Sequence, residues 1–106
     1  MSSWLDTAIE RASEPITVDV KPLNMGVDEI QVLPLSMREY NGLKSNPELT
    51  GLSEEDKAEK LGMLMVFEMM QKCDGTLTWS KFQQLPLSLI AELTSAIMDA
   101  VNTPLE

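Results

Sequence analysis

Apolar and polar residues alternate in two short segments of the N-terminal third of the chain. Residues 16–21 alternate strictly, and residues 29–33 do so over most of their length. This spacing is typical of half-buried β-strands. The intervening residues 24–28 contain the turn formers asparagine, glycine and aspartate, so the two segments predict a β-hairpin. Pro22 and Pro34 limit its length, because proline has no N–H to donate to a neighbouring strand.

Much of the remaining chain repeats apolar residues at helical spacing. Helices are predicted at residues 4–12, from residue 37 onward, at 53–72, at 79–84 and at 86–102. A serine followed three residues later by an acid is the pattern of a capping box. This pattern marks the start of the first three predicted helices, at Ser3, Ser36 and Ser53. Pro86 suits the first turn of the last one.

The predicted elements form one unit, because no internal repeat or low-complexity linker separates them. We therefore predict a single domain over residues 1–106, of the α+β class and mainly α. In this fold the short N-terminal helix and the β-hairpin pack on a small bundle of helices. The long helices of the bundle are expected at about 53–72 and 86–102.

Methionine is concentrated in the longest predicted helix. Residues 61–70 are apolar at eight of ten positions and hold four of the eight methionines of the chain. Around the helix axis the apolar side chains spread over roughly 200°, about twice the width of an ordinary core-facing stripe. Methionine is flexible and is over-used on surfaces that accept another chain.

Two interpretations of this methionine-rich helix stay open. Its side chains form the core of the domain, which is the usual fate of an apolar stripe, or one face receives a partner helix or a second subunit. Partial exposure of the methionines favours a partner, and complete burial favours the core. Leu61 and Leu64 are expected on the polar side of the helix, which adds to the argument for a partner. The predicted partner-binding residues are Leu61, Met63, Leu64, Met65, Met69 and Met70.

Charge and composition narrow the classes of partner. Seventeen acidic and eight basic residues give a formal net charge of −9, which repels nucleic-acid backbones and favours basic partners. The longest apolar stretch is far shorter than the roughly 20 residues of a membrane span, and the N-terminus lacks the pattern of a secretory signal. The one cysteine, Cys73, fits a reducing compartment. We expect a cytoplasmic protein that binds neither nucleic acid nor membranes.

Residue sets typical of catalysis are missing from the sequence. The chain has no histidine, which excludes histidine-based acid–base chemistry, catalytic triads and histidine metal ligands. Cys73 lies near the end of a predicted helix, where the helix dipole disfavours a thiolate. No glycine-rich phosphate-binding motif is present. We expect no enzymatic activity, no cofactor and no metal.

One segment partly matches a calcium-binding loop. Residues 74–82 follow the second half of the EF-hand pattern when Gly75 is aligned with the glycine of the loop. Met70, Lys72 and Lys81 then occupy positions that require oxygen ligands. We therefore predict a turn between helices here and no calcium site.

From residue 16 to residue 102, the order of elements resembles the tail assembly chaperones of long-tailed, siphovirus-type bacteriophages. The resemblance begins with the hairpin and its step from strand into helix, and continues with a variable acidic loop and a long apolar helix. It ends with a proline entry into a final helix. The segments that carry it are Val32-Leu33-Pro34-Leu35-Ser36-Met37-Arg38-Glu39-Tyr40, Cys73-Asp74-Gly75, Leu85-Pro86, Leu89-Ile90-Ala91-Glu92-Leu93 and Val101-Asn102.

The resemblance implies a small non-catalytic protein of the host bacterial cytoplasm. Such chaperones bind the tape-measure protein, a very long, aggregation-prone helical chain, and keep it soluble while tail tube subunits assemble around it. The tail tube protein is a further candidate partner. The alternative is a structural or adaptor protein that forms a homo-oligomer through the edge of its hairpin or through its methionine-rich helix.

Overall fold

The computed structural model describes residues 3–102, and most of them are helical. The elements are helix α1 (Trp4–Ala12), strands β1 (Ile16–Asp19) and β2 (Glu29–Val32), and helices α2 (Met37–Lys44), α3 (Glu54–Gln71), α4 (Trp79–Phe82) and α5 (Leu87–Asn102). Short 3₁₀ turns at Lys21–Leu23 and Pro47–Leu49 lie between them. The predicted class, α+β and mainly α, is confirmed, and both long helices begin and end close to the predicted residues.

Serine side chains begin three of the helices, as predicted. Ser3 and Ser36 form complete capping boxes with Asp6 and Glu39. Within the second of these, Ser36 Oγ accepts from the Glu39 N–H at 3.1 Å and Glu39 Oε1 accepts from the Ser36 N–H at 2.9 Å. At Ser53, among the described residues, the cap consists of the bond from the Asp56 N–H to the serine hydroxyl alone, at 3.2 Å. These bonds satisfy backbone donors that have no partner inside a helix.

The two strands form the predicted antiparallel hairpin. Ile16 pairs with Val32 and Val18 with Ile30, so these four side chains share one face of the hairpin. Each strand has four residues, fewer than predicted. β1 ends early because the chain turns into a 3₁₀ segment directly after Val20, and β2 ends at Val32 because the next N–H, that of Leu33, bonds to α3. The turn also contains non-extended backbone, including Gly26 at φ +92°, a region that glycine adopts without a steric penalty.

The core lies between the hairpin and the two long helices. β1 packs against α5, and β2 packs against α3. A backbone bond from the Leu33 N–H to the Met69 carbonyl, at 3.1 Å, ties the end of the hairpin to α3. The buried side chains of the core are Val18, Val20, Val32, Val66, Phe67, Met69, Met70, Phe82, Ile90, Leu93 and Ile97.

Helix α3 is covered on a second side as well. Leu64 and Leu49 are both buried, yet neither belongs to the main core. α3 packs there against α2 and the Pro47–Leu49 turn. We call α2 and the Pro47–Leu49 turn together the α2 segment. The broad apolar arc of α3 therefore has a structural cause, since one side faces the hairpin and α5 while the other faces the α2 segment. The argument from Leu64 for a partner is corrected, because its own chain covers it.

A salt bridge and a hydrogen bond from Lys72 hold the start of α2 against the end of α3. Lys72 Nζ donates to Glu39 Oε1 at 2.7 Å and to the Pro34 carbonyl at 2.9 Å. The bond from Lys72 Nζ to the Glu39 carboxylate lowers the pKa of Glu39 from its ordinary value, and the bond from the Ser36 N–H lowers it further. Because the folded pKa lies below the unfolded one, the interaction stabilises the fold above the ordinary glutamate pKa. That stabilisation is lost as the pH falls through the pKa of folded Glu39.

Replacing Lys72 by methionine is expected to lower the free energy of unfolding at neutral pH by about 1 kcal/mol, since both partners are partly solvated. The difference from the wild type should shrink at acid pH, as the pH falls through the lowered pKa of folded Glu39. Urea unfolding at both pH values measures this. Lys57→Met is the control on the same helix, because Lys57 lies 3.9 Å from a nearly fully exposed Glu54. An equal loss at both pH values contradicts the assigned role of Glu39.

Helix α1 differs from the prediction in its packing. Its bounds are as expected, but every one of its residues is exposed, so it does not pack on the bundle. The physical reason is that the hairpin, α3, α4 and α5 close the core with their own side chains. The apolar side of α1 is consequently left facing outward, and Trp4 is 80% exposed.

Candidate binding groove

An open groove of about 890 Å³ lies between the hairpin and the C-terminal half of α3. We call it the hairpin groove. Its walls come from both strands, the turn between them, the segment after α3, helix α4 and one residue of α5. It combines elements from distant parts of the chain, which the hairpin and the two long helices bring together.

Apolar side chains form the floor of the hairpin groove. They are Ile30 from β2, Phe67 and Met70 from α3, Leu77 and Phe82 from the α4 region, and Leu85 and Leu93. Strand alternation turns the side chain of Ile30 inward, and helical spacing places Phe67 and Met70 on one side of α3. The floor therefore continues the hydrophobic core toward the solvent.

Three aromatic rings support this floor. The ring of Phe67 lies 5.5 Å from that of Trp79 and 5.4 Å from that of Phe82, measured between centroids. Trp79 and Phe82 stack at 5.5 Å. Aromatic pairs at these separations attract one another beyond their burial. The cluster ties α4, which has only four residues, to α3 and so holds one wall of the groove.

The rim of the hairpin groove is polar and carries both signs of charge. Its charged residues are Glu29, Asp74 and Lys81. Thr76 donates two hydrogen bonds to the Asp74 carboxylate, one from its hydroxyl and one from its backbone N–H. Both bonds lower the pKa of Asp74, and the bond from the hydroxyl has the larger effect. The rim therefore keeps its negative charge at Asp74 to a lower pH than an ordinary aspartate would.

The segment after α3 is a turn, as predicted. Gln71 Nε2 donates to the Leu77 carbonyl at 3.0 Å, and the Leu77 N–H donates to the Asp74 carbonyl at 3.3 Å. Within residues 3–102, no group of three or more His, Cys, Asp or Glu side chains is placed to hold a metal ion. The bonds from Gln71 and to Asp74 hold the backbone of Leu77, whose side chain forms part of the groove floor.

A smaller pocket of about 220 Å³ lies next to the groove. Phe82 and Leu85 line both cavities and separate them. The smaller pocket also contacts Met63 of α3 and Leu87, which is 65% exposed at the start of α5. Apolar surface is thus continuous from the groove to the N-terminal end of the last helix.

The structure divides the six residues predicted to bind a partner. Three are buried within this chain: Leu64, Met69 and Met70. Met70 nevertheless forms part of the groove floor. The other three are partly exposed: Leu61, Met63 and Met65. Met63 lines the smaller pocket. Partner binding stays a prediction for these three residues and for Met70 in the groove floor.

Most residues of the groove were missed by the sequence prediction. The strand alternation that places Ile30 on the inner face was available, and so was the three-residue spacing of Trp79, Phe82 and Leu85. That spacing indicates one apolar side of a helical turn. No local pattern, however, shows that the hairpin and this turn face each other across open space.

Comparisons with known proteins identify no relative of this chain. No family model, no curated protein and no solved structure matches it. Within residues 3–102, none of the helices is both long enough and apolar enough to cross a membrane.

Proposed function

We propose that this protein is a non-catalytic chaperone of phage tail assembly that acts in the host bacterial cytoplasm. It receives an apolar helical segment of the tape-measure protein in the hairpin groove and keeps that chain soluble while tail tube subunits assemble around it. The observation that carries the proposal is the groove itself, an open cavity of about 890 Å³ with an apolar floor. The resemblance of the chain to tail assembly chaperones supplies the identity of the partner.

The dimensions of the groove suit a helix. An α-helix with its side chains is about 10 Å across and rises about 1.5 Å per residue. Half of a helix three turns long then occupies roughly 640 Å³, which is less than the groove volume of about 890 Å³. Helix-in-groove recognition uses apolar anchors spaced three and four residues apart. Leu77, Phe82 and Leu85 offer contacts for such anchors along the floor.

Charge favours a partner segment with basic flanks. The chain has a formal net charge of −9, and Glu29 and Asp74 place two acids at the rim against the single base Lys81. Complementary charge increases the rate of encounter and selects the register of binding. We therefore expect the bound segment to be an amphipathic helix whose polar edges carry lysine or arginine.

Co-expression with the tape-measure protein of the same phage tests this function. The expected result is a several-fold rise in soluble tape-measure protein and co-purification of the two chains. The variant Val27→Lys places a charge at a groove-lining position that is 48% exposed, so it should abolish most of the rise while leaving the fold intact. Circular dichroism and thermal melts of the free variant check the fold.

The matched control is Met37→Lys. Met37 is also apolar and exposed, at 80%, but it lies outside the groove. This variant should support as much soluble tape-measure protein as the wild type. No rise in soluble partner and no co-purification would overturn the proposed function. A rise that Val27→Lys leaves unchanged would overturn the groove as its site.

A further inference from the structure

The α2 segment buries little of its own side-chain surface. No residue of α2 itself is buried, and its apolar side chains Tyr40 and Leu43 are only partly covered. Leu49 of the following turn is buried, and so is Leu64, which faces it from α3. Apolar burial is the main source of stability for a local unit of structure. The α2 segment is therefore held more weakly than the hairpin and α5, whose side chains fill the core.

Helix α2 adds little stability of its own. It has eight residues, and isolated helices shorter than about 12 residues are marginal in water. It also carries Gly42 in its interior, and glycine lowers the stability of a helix relative to alanine. The Ser36 capping box secures only the first turn. We therefore expect α2 to stay helical only while α3 supports it.

The backbone hydrogen bonds of the α2 segment are all local. The Tyr40 N–H donates to the Ser36 carbonyl at 3.0 Å, and the Leu49 N–H donates to the Asn46 carbonyl at 3.0 Å. Among residues 3–102, no described backbone bond joins this segment to α3, unlike the hairpin, whose Leu33 N–H donates to that helix. Lifting the segment off α3 therefore breaks side-chain contacts only.

Two salt bridges hold the α2 segment on α3, one near each of its ends. Lys72 Nζ lies 2.7 Å from Glu39 Oε1 at the start of the segment, and Lys60 Nζ lies 3.5 Å from Glu48 Oε2 at its end. The two lysines are about 18 Å apart along α3. All four side chains are 25–42% exposed, so water and salt ions compete for each pair.

We propose that the α2 segment is a strap that opens from α3 as one unit while the hairpin, α3 and α5 stay folded. Opening breaks both salt bridges and uncovers Leu64 on the second apolar side of α3. Gly51 lies between the strap and α3 at φ +82°. Because glycine changes its backbone angles without a steric penalty, this connection can serve as the hinge. The inference does not depend on the proposed function.

The strap acts as a cover whose closure is set by few contacts. When it is closed, the second side of α3 is packed, and when it is open, that side faces solvent. Local openings of this kind have free energies well below that of global unfolding. The strength of the two salt bridges thus determines the fraction of molecules in which Leu64 is accessible.

Hydrogen exchange of the wild-type chain at low urea concentrations tests the strap. The amides of residues 40–50 should exchange at least about tenfold faster than the slowest amides of α5. They should also share one urea dependence that is smaller than that of the core amides, because opening the strap exposes less surface than unfolding the chain. Amides that open one by one, without a shared urea dependence, overturn the opening as a unit.

A core variant separates opening of the strap from unfolding of the whole chain. Ile97 lies on α5 and is fully buried in the core. Ile97→Val should speed the exchange of the slowest α5 amides by about 2- to 12-fold, because it destabilises the whole fold. The exchange of residues 40–50 should not change, since the strap opens while the core is intact. An equal acceleration in both regions overturns the proposal.

Lysine variants test what holds the strap closed. Lys60→Met combined with Lys72→Met should speed the exchange of residues 40–50 by about 2- to 30-fold, and circular dichroism checks that the helices are retained. Lys57→Met is the control, because the partner of Lys57 is Glu54 on α3 itself, so the strap should exchange as in the wild type. If the double variant leaves the exchange of residues 40–50 unchanged, the two salt bridges do not hold the strap and the proposal is wrong.

Discussion

Replacing Phe67 by alanine is expected to lower the free energy of unfolding by about 3–5 kcal/mol. Phe67 is 6% exposed and belongs to the core. Its ring contacts those of Trp79 and Phe82, so the substitution also removes two aromatic pairs. Domains of this size are stable by about 5–15 kcal/mol. The variant is therefore expected to lose a large part of its stability.

Urea unfolding followed by circular dichroism measures this loss. With a urea dependence of about 1–3 kcal/mol per M, the midpoint should fall by 1 M or more. Met37→Ala is the control, because its side chain is 80% exposed and its truncation should change the stability by about 0.5 kcal/mol or less. A loss below about 1 kcal/mol for Phe67→Ala would contradict the aromatic cluster that supports the groove.

The second large effect is expected on the opposite side of α3. Leu64→Ala should cost about 2–5 kcal/mol, since Leu64 is 5% exposed and its truncation leaves a cavity between α3 and the α2 segment. Leu61→Ala is the matched control, with the same chemistry about one turn earlier on the same helix. Leu61 is partly exposed, so its truncation should cost clearly less than that of Leu64.

Measuring the two leucine variants by urea unfolding separates the interpretations of the methionine-rich helix. If α2 and the Pro47–Leu49 turn cover α3 within one chain, the stability of Leu64→Ala is independent of protein concentration. A similar small cost for both variants would show that Leu64 is not packed in the monomer. The second side of α3 would then again be open to a partner.

The ends of the helices were predictable because their signals are local. The Ser36 capping box needs only the residue three positions later, and the bonds at Ser36 and Glu39 form as the pattern indicates. The hairpin was predictable for the same reason, since strand alternation and turn residues act within a few positions. Its register follows from the apolar face that it buries.

The candidate site was less predictable because it depends on residues far apart in the chain. Helical periodicity showed that α3 is apolar over a wide arc, but it could not show what covers each part of that arc. Leu64 and Met63 are neighbours in sequence, yet the first is buried under the α2 segment and the second lines the smaller pocket. The wide apolar arc of α3 is thus real, and contacts within the same chain cover much of it.

Helix α1 also shows that periodicity identifies an apolar face without showing whether the folded chain covers it. Its capping box and apolar spacing predict the helix correctly. Amphipathic periodicity identifies a face that has to be covered but not the surface that covers it. In the folded chain that face is open, with Trp4, Leu5 and Ile9 all exposed.

Local patterns thus determine the elements of this protein, their class and the absence of histidine chemistry, because caps, alternation and residue types act over a few positions. Tertiary packing alone decides which apolar residues are core and which are surface. It buries Leu64, Met69 and Met70, leaves Trp4 and Ile9 exposed, and opens a groove between the hairpin and α4. The physical reason is that burial depends on which elements meet in space, and contacts between distant residues leave no periodic trace in the sequence.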